Sequence, residues 1–451
     1  MTIIYTENRF TKKRRRIDFF YILILLFGMI GLYVGVVNMY FWLILLVSRF
    51  FMSSKKEIGL FFLLFGSSLF GRMFASDTLV VYITIFFPLI GIILLRQDIL
   101  RIIHSHRRSY WYLSILILFF ALHFLFSDLN PYAQGKITRM IIRGYIWLTV
   151  FLIYFHTPNI GNRNFTYFLL ILALFYLSQA YQLYNIRPLF FGDISFFRSL
   201  LHELGRNDLG TLIVNPHTLG YLACGAITFY LSKKGSLNGD IFVTISLSAL
   251  VLLLVFISGT RQTIVSFVII YFLAIILRGG KLRLKNFIIA IGVLLILVFI
   301  INEMSSSSEF INRMVSEENE IDERLHRDIN TPFRVMEINP LTGVGFGEYK
   351  NHASKEYPHN MFLEIICEEG YLGLIVVLLI SFFYLFPVLN RYGLSIVSYI
   401  SINRVFPILL FTLFFLRAMI SGDLSSSISV FAVLFSYTNY KSNASVTYHH
   451  G

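Results

Sequence analysis

Between two long apolar runs the chain places Arg334, the glycine-rich stretch Asn339-Pro340-Leu341-Thr342-Gly343-Val344-Gly345-Phe346-Gly347, then Pro358-His359-Asn360 and the carboxylates Glu364, Glu368 and Glu369. These residue types can carry acid/base chemistry. An imidazole such as His359 exchanges a proton near neutral pH, so it is the candidate acid/base, with Asn360 beside it. Glu364 and Glu368 are four residues apart and share one face of a helix, so they point toward the same crevice if that face lines a cavity.

Two further arginines sit where a cation is unexpected. Arg261 follows Ser258-Gly259-Thr260 in a tight turn, on the face of the chain where the positive-inside rule disfavours basic residues. Such a turn suits a phosphate, because an arginine offers a planar fork of donors and glycine permits close backbone approach. Arg206 ends the basic run Arg187, Arg198, His202 and precedes Asn215-Pro216-His217 inside an otherwise apolar span. There Pro216 interrupts the helical ladder, and Asn215 and His217 need partners at membrane depth. Arg143 lies in the apolar run 140–155 with Lys136 and Arg139 just before it. For Arg261 and Arg143 an interfacial anchor that snorkels is the plainer alternative, and for Pro216 a structural kink.

The elements that must position these groups are membrane helices. The chain has 451 residues, mean hydropathy +0.71, 56% hydrophobic residues and only 14% charged ones. It can therefore supply many runs of about 20 apolar residues, the length that spans a bilayer core. The predicted spans are 18–35, 38–52, 58–74, 78–95, 110–127, 138–155, 165–184, 209–231, 241–257, 262–277, 286–302, 362–387, 400–420 and 424–440. The second, third and thirteenth are weak, so the expectation is roughly 12 to 14 spans in an all-α polytopic membrane protein. The whole of 1–451 is read as one membrane domain.

Lys12 to Arg16 precede the first apolar run, which has no small-residue cleavage site, so 1–17 is expected in the cytoplasm ahead of an uncleaved anchor. Counting from there, Lys55-Lys56, Arg96 to Arg108, Arg163, Lys233-Lys234, Arg278 to Lys285 and Arg391 all fall in cytoplasmic turns, as does the tail 441–451. The segments left outside are 185–208, the Ser258 to Arg261 turn and the loop 303–358. A loop of that length is expected to fold as short helices over the membrane.

The net charge of +13 is thus spread over short turns and implies no nucleic-acid partner. No G-x-x-x-x-G-K-[ST] sequence encodes ATP-driven transport, and no Asp-x-Asp pair would hold a metal and a nucleotide sugar. Gly343, Gly345 and Gly347 are misplaced for a dinucleotide fingerprint. Cys224 and Cys367 sit in or beside apolar runs and read as buried thiols. No cofactor and no metal are expected.

The order Asn339-Pro340-Leu341-x-Gly343-Val344-Gly345-Phe346-Gly347, His359-Asn360, Glu369-Gly370-x-x-Gly373 resembles the core signature of the O-antigen ligase and polymerase superfamily. Arg334 and Gly345, with ten residues between them, resemble the Arg-x(10)-Gly element of the polymerases. The Arg206 to Gly220 segment and the Ser258 to Arg261 turn resemble two more superfamily motifs, although His217 stands where asparagine is commoner. The resemblance covers the second half of the chain.

It implies a GT-C-type membrane glycosyltransferase that uses an undecaprenyl-diphosphate-linked glycan on the outer face of the bacterial inner membrane. Catalytic roles then fall to His359, Arg261 and Arg206. Substrate and diphosphate binding fall to Arg334, Arg143, Asn215, His217, Gly345, Asn360 and Glu369. Membrane lipid, and the chain-length regulator and flippase proteins of the same pathway, are the implied partners. The Arg-x(10)-Gly element favours a polymerase. A ligase acting on lipid A core is the alternative, and a lipid-linked oligosaccharide flippase is a second, although it would favour internal repeats that this chain does not show.

Overall fold

In the computed structural model the described residues are 19–32, 34–66, 77–127, 130–156, 162–184, 216–232, 241–258, 260–277, 329–392, 405–420 and 423–437. Among them every regular element is a helix. The expected span 286–302, the termini 1–17 and 441–451, and the segment 303–328 lie outside the described residues.

The chain forms two compact units. The first comprises 1–54 and 161–316. Its described helices are Phe19–Leu32, Met39–Phe51, Asn162–Tyr184, Pro216–Ser232, Ile241–Ile257 and Arg261–Leu277. Helix Asn162–Tyr184 is its centre, since the consecutive residues 165–179 are all buried. A helix apolar on every side must be surrounded, and here Met39–Phe51 and Pro216–Ser232 pack along it. Asn38 opens Met39–Phe51 by accepting the amides of Tyr40 and Phe41 at 3.1 and 3.3 Å. The one arginine on that helix, Arg49, is buried. Its guanidinium lies 4.7 and 4.9 Å from the rings of Tyr21 and Tyr167 and donates to Asn164, so its charge is met by π faces and an amide.

The second unit comprises 55–160 and 317–451. Its helices are Lys55–Phe61, continued by a π turn Phe62–Gly66, then Asp77–Ser105, Arg107–Leu125, Pro131–His156, Thr331–Ile338, Tyr349–His352, Met361–Tyr392, Val405–Ile420 and Leu424–Tyr437. Among the described residues three segments are long and apolar enough to cross a membrane by length and composition: Arg107–Leu125, Pro131–His156 and Met361–Pro387. Helix Pro131–His156 is the axis. Gly144 brings it against Ile428 of Leu424–Tyr437 and Ile117 of Arg107–Leu125. Val405–Ile420 runs antiparallel to it, with Trp147 and Phe151 on Phe414 and Tyr154 and Phe155 on Phe406.

Several boundaries differ from those expected from hydropathy. The basic stretch 96–108 is expected to be a turn, but the helix continues to Ser105 and the chain breaks only at His106. Helix Pro131–His156 starts seven residues before the expected span because Pro131 occupies its first position, where a missing amide costs nothing. Of the expected span 209–231, the described part is the helix Pro216–Ser232. In the expected loop 303–358, the described part contains the short helices Thr331–Ile338 and Tyr349–His352. They are pinned to Met361–Tyr392 by a small core of Val335, Tyr349 and Cys367.

Candidate active site

The centre of the second unit is a broken helix completed by a turn. Within Met361–Tyr392 the backbone of Gly370 takes φ +69° and ψ −173°, which ends one helical segment and starts another. The carbonyls and amides released by the break need partners. The glycine-rich turn supplies them in both directions: the amides of Val344 and Gly345 donate to the carbonyls of Cys367 and Glu368 at 2.9 and 3.0 Å, and the amides of Tyr371 and Leu372 donate to Pro340 and Leu341 at 2.9 and 3.1 Å. Gly343 and Gly370 each have positive φ, and a Cβ on either would collide with the opposite backbone. Only glycine satisfies both demands.

A three-sided brace holds the turn and the first half of this helix. Lys136 is fully buried. Its Nζ lies 2.5 Å from Glu364 Oε1, also contacts Glu368 Oε2, and sits 4.8 Å over the ring of Phe346 from the turn. One lysine thereby joins helix Pro131–His156, helix Met361–Tyr392 and the glycine turn. Glu369, also buried, meets His123 Nδ1 of helix Arg107–Leu125 at 2.6 Å. On the other side of the turn, Ser127 Oγ accepts the Phe346 amide at 2.9 Å, and Glu348 is bonded by Asn130 and Asn351.

The brace fixes the entrance to helix Met361–Tyr392. Asn360 is its N-cap, with Oδ1 accepting the amides of Phe362 and Leu363 at 2.9 and 3.2 Å. His359 directly precedes this cap and is half-buried, its ring edge-on to Tyr357 at 4.9 Å. Tyr357 titrates above its usual range, chiefly through burial and then through the negative charges of Asp423 and Glu364. Asp423 titrates below its own. Burial opposes that shift, but the Ser425 hydroxyl, Lys136, the Ser426 amide and Arg139 outweigh it.

Around Asp423 lies a basic cluster. Arg139 Nη2 is 3.6 Å from Asp423 Oδ2, and its Nε donates to Ser425 Oγ at 3.3 Å. Arg143 is one turn further on the same helix face, within the electrostatic reach of Asp423, Arg139 and Arg417.

In the first unit the hairpin that leads to Arg261 is locked by hydroxyls. Ser258 Oγ lies 3.0 Å from Thr260 Oγ1 and 3.3 Å from Thr263 Oγ1, all three residues being buried. Gly220 of helix Pro216–Ser232 faces this cluster so closely that a Cβ would fall 2.6 Å from Thr263. The hydroxyl of Thr260, expected from sequence to accompany the guanidinium, is therefore engaged within the hairpin. Arg261 takes the first position of helix Arg261–Leu277, where backbone amides point outward and the helix dipole favours an anion over a cation.

Of the residues predicted from sequence, His359, Asn360, Gly345, Glu369, Arg334 and Arg143 all lie in the second unit. Arg334 is exposed on helix Thr331–Ile338, and Gly345 is part of the turn itself. His217, half-buried, takes the second position of helix Pro216–Ser232 in the first unit. Arg206 and Asn215 lie outside the described residues, as does the side chain of Arg261. Glu364 and Glu368 share a face as expected, but that face meets Lys136. Sequence reasoning placed Lys136 ahead of its helix and gave no role to His123. His123 is a titratable group inside an apolar run, and Lys136 falls within its helix once the helix limits are known.

Residues 246–378 match the family model described as O-antigen ligase (Wzy_C). That stretch includes the Ser258 hairpin, the glycine turn, His359 and the break at Gly370, and it supports the O-antigen ligase/polymerase superfamily for this chain. No curated protein matches the chain.

Proposed function

With the O-antigen ligase/polymerase superfamily as premise, we propose that this chain is a membrane glycosyltransferase that joins undecaprenyl-diphosphate-linked oligosaccharide repeat units into a polysaccharide on the outer face of the cytoplasmic membrane. The observation that carries the reading is that one family match, 246–378, spans the arginine hairpin, the turn and the histidine together. The bond from sugar C1 to the diphosphate oxygen breaks, a bond from C1 to the acceptor hydroxyl forms, and the hydroxyl proton passes to His359. Negative charge builds on the departing lipid diphosphate.

Arg206 and Arg261 receive that charge, assisted by Arg334, because preorganised donors in a water-poor crevice stabilise it strongly. Arg261 opens its helix, where backbone amides point outward. Asn215 and His217 contact the substrate. Gly345, Asn360 and Glu369 hold the entrance that carries His359. The activated donor supplies the free energy, so neither nucleotide nor cofactor enters the scheme.

The description of the matching family favours a second reading, transfer of finished polymer to lipid A core. The Arg334 and Gly345 spacing favours polymerisation. Glycan analysis of a deletion strain separates the two. Single repeats capped on lipid A core indicate a polymerase, uncapped core with accumulated lipid-linked polymer indicates a ligase, and unchanged glycan refutes both.

A further inference from the structure

The corner between helices Asp77–Ser105 and Arg107–Leu125 gathers exposed cations. From residue 86 to 125 the sequence holds Arg96, Arg101, Arg107 and Arg108 against one acidic residue, Asp98. Asp98 is taken by Lys56 at 2.9 Å. Arg108 is engaged too: its Nη2 donates to the carbonyls of Phe383 and Tyr384, both at 3.3 Å, and the Phe383 carbonyl is the one that Pro387 leaves without a helical donor. Arg96, Arg101 and Arg107 are all exposed, and none of them makes an ion pair among the described residues. Arg107 Nη2 donates to His104 Nδ1 at 3.0 Å, and His104 is a surface neighbour of Arg101, three residues back on its helix. Arg101 and Arg107 are thereby linked through one imidazole.

Two apolar rows run into this corner. On Arg107–Leu125, a helix of membrane length, Trp111, Leu118, Leu122 and Leu125 are exposed at helical spacing and share one face. Arg107 continues that row one turn toward the helix start. On Asp77–Ser105 the exposed Leu89, Ile92 and Ile93 lead to Arg96 and then to Arg101. In a bilayer such rows face acyl chains, so the place where both give way to arginine is the level of the head groups, and the exposed Trp111 belongs at the same level. We infer that Arg101 and Arg107 bind the phosphate of an anionic phospholipid whose acyl chains lie along the Trp111 row, with Arg96 adding to the attraction. Guanidinium forks take a phosphate through paired charge-assisted hydrogen bonds. A zwitterionic lipid brings a cation of its own to the same place, so the site prefers phosphatidylglycerol to phosphatidylcholine.

The test reads tryptophan fluorescence from the purified full chain in mixed bilayers in which either phosphatidylglycerol or phosphatidylcholine carries brominated acyl chains, which quench a neighbouring indole. Subtracting the Trp111→Phe variant isolates Trp111 from Trp42 and Trp147. Phosphatidylglycerol should be preferred at Trp111 by about 20-fold, at about fivefold for each of the two arginines. Arg101→Gln with Arg107→Gln should bring the ratio to about one. Should the pair fail to accumulate, Arg101→Gln alone alters an exposed side chain and should still lower the preference about fivefold. Lys350→Gln is the control: Lys350 lies over Tyr132, at the opposite end of helix Pro131–His156 from the stacked His106 and His156, and its loss should leave the ratio unchanged.

Equal quenching by the two lipids in wild type, or a preference that survives the arginine substitutions, would overturn the inference. So would an equal fall in Lys350→Gln, which would trace the preference to total charge rather than to this corner. Excess inorganic phosphate, compared with chloride at the same ionic strength, separates a lipid head group from a soluble anion: a preference kept in phosphate supports the lipid, and one abolished by phosphate but not by chloride would reassign the arginines and overturn the lipid site.

Discussion

At the scale of single residues, Lys136 is the member whose loss should be felt most. Among the described residues it is the one cation contacting Glu364 and Glu368, and all three are fully buried. Removing one partner of a buried ion pair typically costs about 3–5 kcal/mol, because the remaining charges stay desolvated and unpaired. Lys136→Met should therefore lower the thermal unfolding temperature and the yield of folded chain in detergent. Adding Glu364→Gln and Glu368→Gln to it should restore most of both, and failure of the triple variant to recover would mean that the lysine acts through something other than these carboxylates. For His359, general-base loss costs about 10²–10⁴-fold. His359→Ala should reduce turnover on that scale with donor binding retained. His359→Gln should rescue poorly, since an amide orients a hydroxyl without accepting its proton; near-wild-type turnover of the Gln variant would reduce the imidazole to a positioning group.

The candidate residues are legible in the primary structure because charge inside an apolar run is rare and therefore informative. Their pairings are not. Lys136 and Glu368 are 232 positions apart, and nothing local announces that they meet. Asn360 is expected from sequence to contact substrate, and the structure gives its side-chain oxygen to the helix cap. A short polar side chain before an apolar run carries both meanings, and only the backbone distinguishes them.

At the scale of elements, helix existence follows from hydropathy, while the ends depend on prolines, caps and side-chain partners that a smoothed profile does not register. The π turn after Phe61 and the break at Gly370 belong to the same class, because both lie inside runs that read as continuous helix. The break yields a prediction. Gly343→Ala or Gly370→Ala would force a Cβ into the opposing backbone and a left-handed conformation on alanine. Strain of this kind costs about 1–3 kcal/mol before the clash is counted. Either variant should lose transfer activity and gain protease sensitivity within 339–372. Alanine at exposed Leu341, used as a control, should do neither.

A second prediction concerns the corner between Asp77–Ser105 and Arg107–Leu125. His106 stacks on His156 with ring centroids 4.1 Å apart, and burial holds its titration below the ordinary 6.5. The folded chain thus binds fewer protons there than the unfolded chain. Its stability is intact above about pH 6.5 and declines as the pH falls below that value. Unfolding followed between pH 7.5 and 5 should show this loss, and His106→Phe should flatten it.

At the scale of the whole molecule, composition identifies a helical membrane protein without difficulty, and among the described residues three helices have the length and apolarity to cross a bilayer. Sidedness rests on the alternation of basic clusters, and it can be tested directly. Cysteines introduced at Ser306 and at Gly280 should differ in labelling by an impermeant thiol reagent, with Ser306 reactive from outside and Gly280 protected. The native Cys224 and Cys367 are buried and should contribute little background. Equal protection at both positions would overturn the assigned orientation.

The division of the chain into two units is invisible in the linear order, because each is assembled from two separate stretches. The exchange of amides and carbonyls between the glycine turn and the broken helix also bears on how the chain is made. Synthesis runs from residue 339 toward 372, so the ribosome delivers the turn before the helix that it completes. When Glu364, Glu368 and Glu369 emerge, Lys136 and His123 have already been made, together with the amides of Val344 and Gly345. The helix that carries three buried carboxylates can therefore enter the bilayer against finished partners. A chain rearranged so that 361–392 were translated first would have to insert three carboxylates and an interrupted backbone alone.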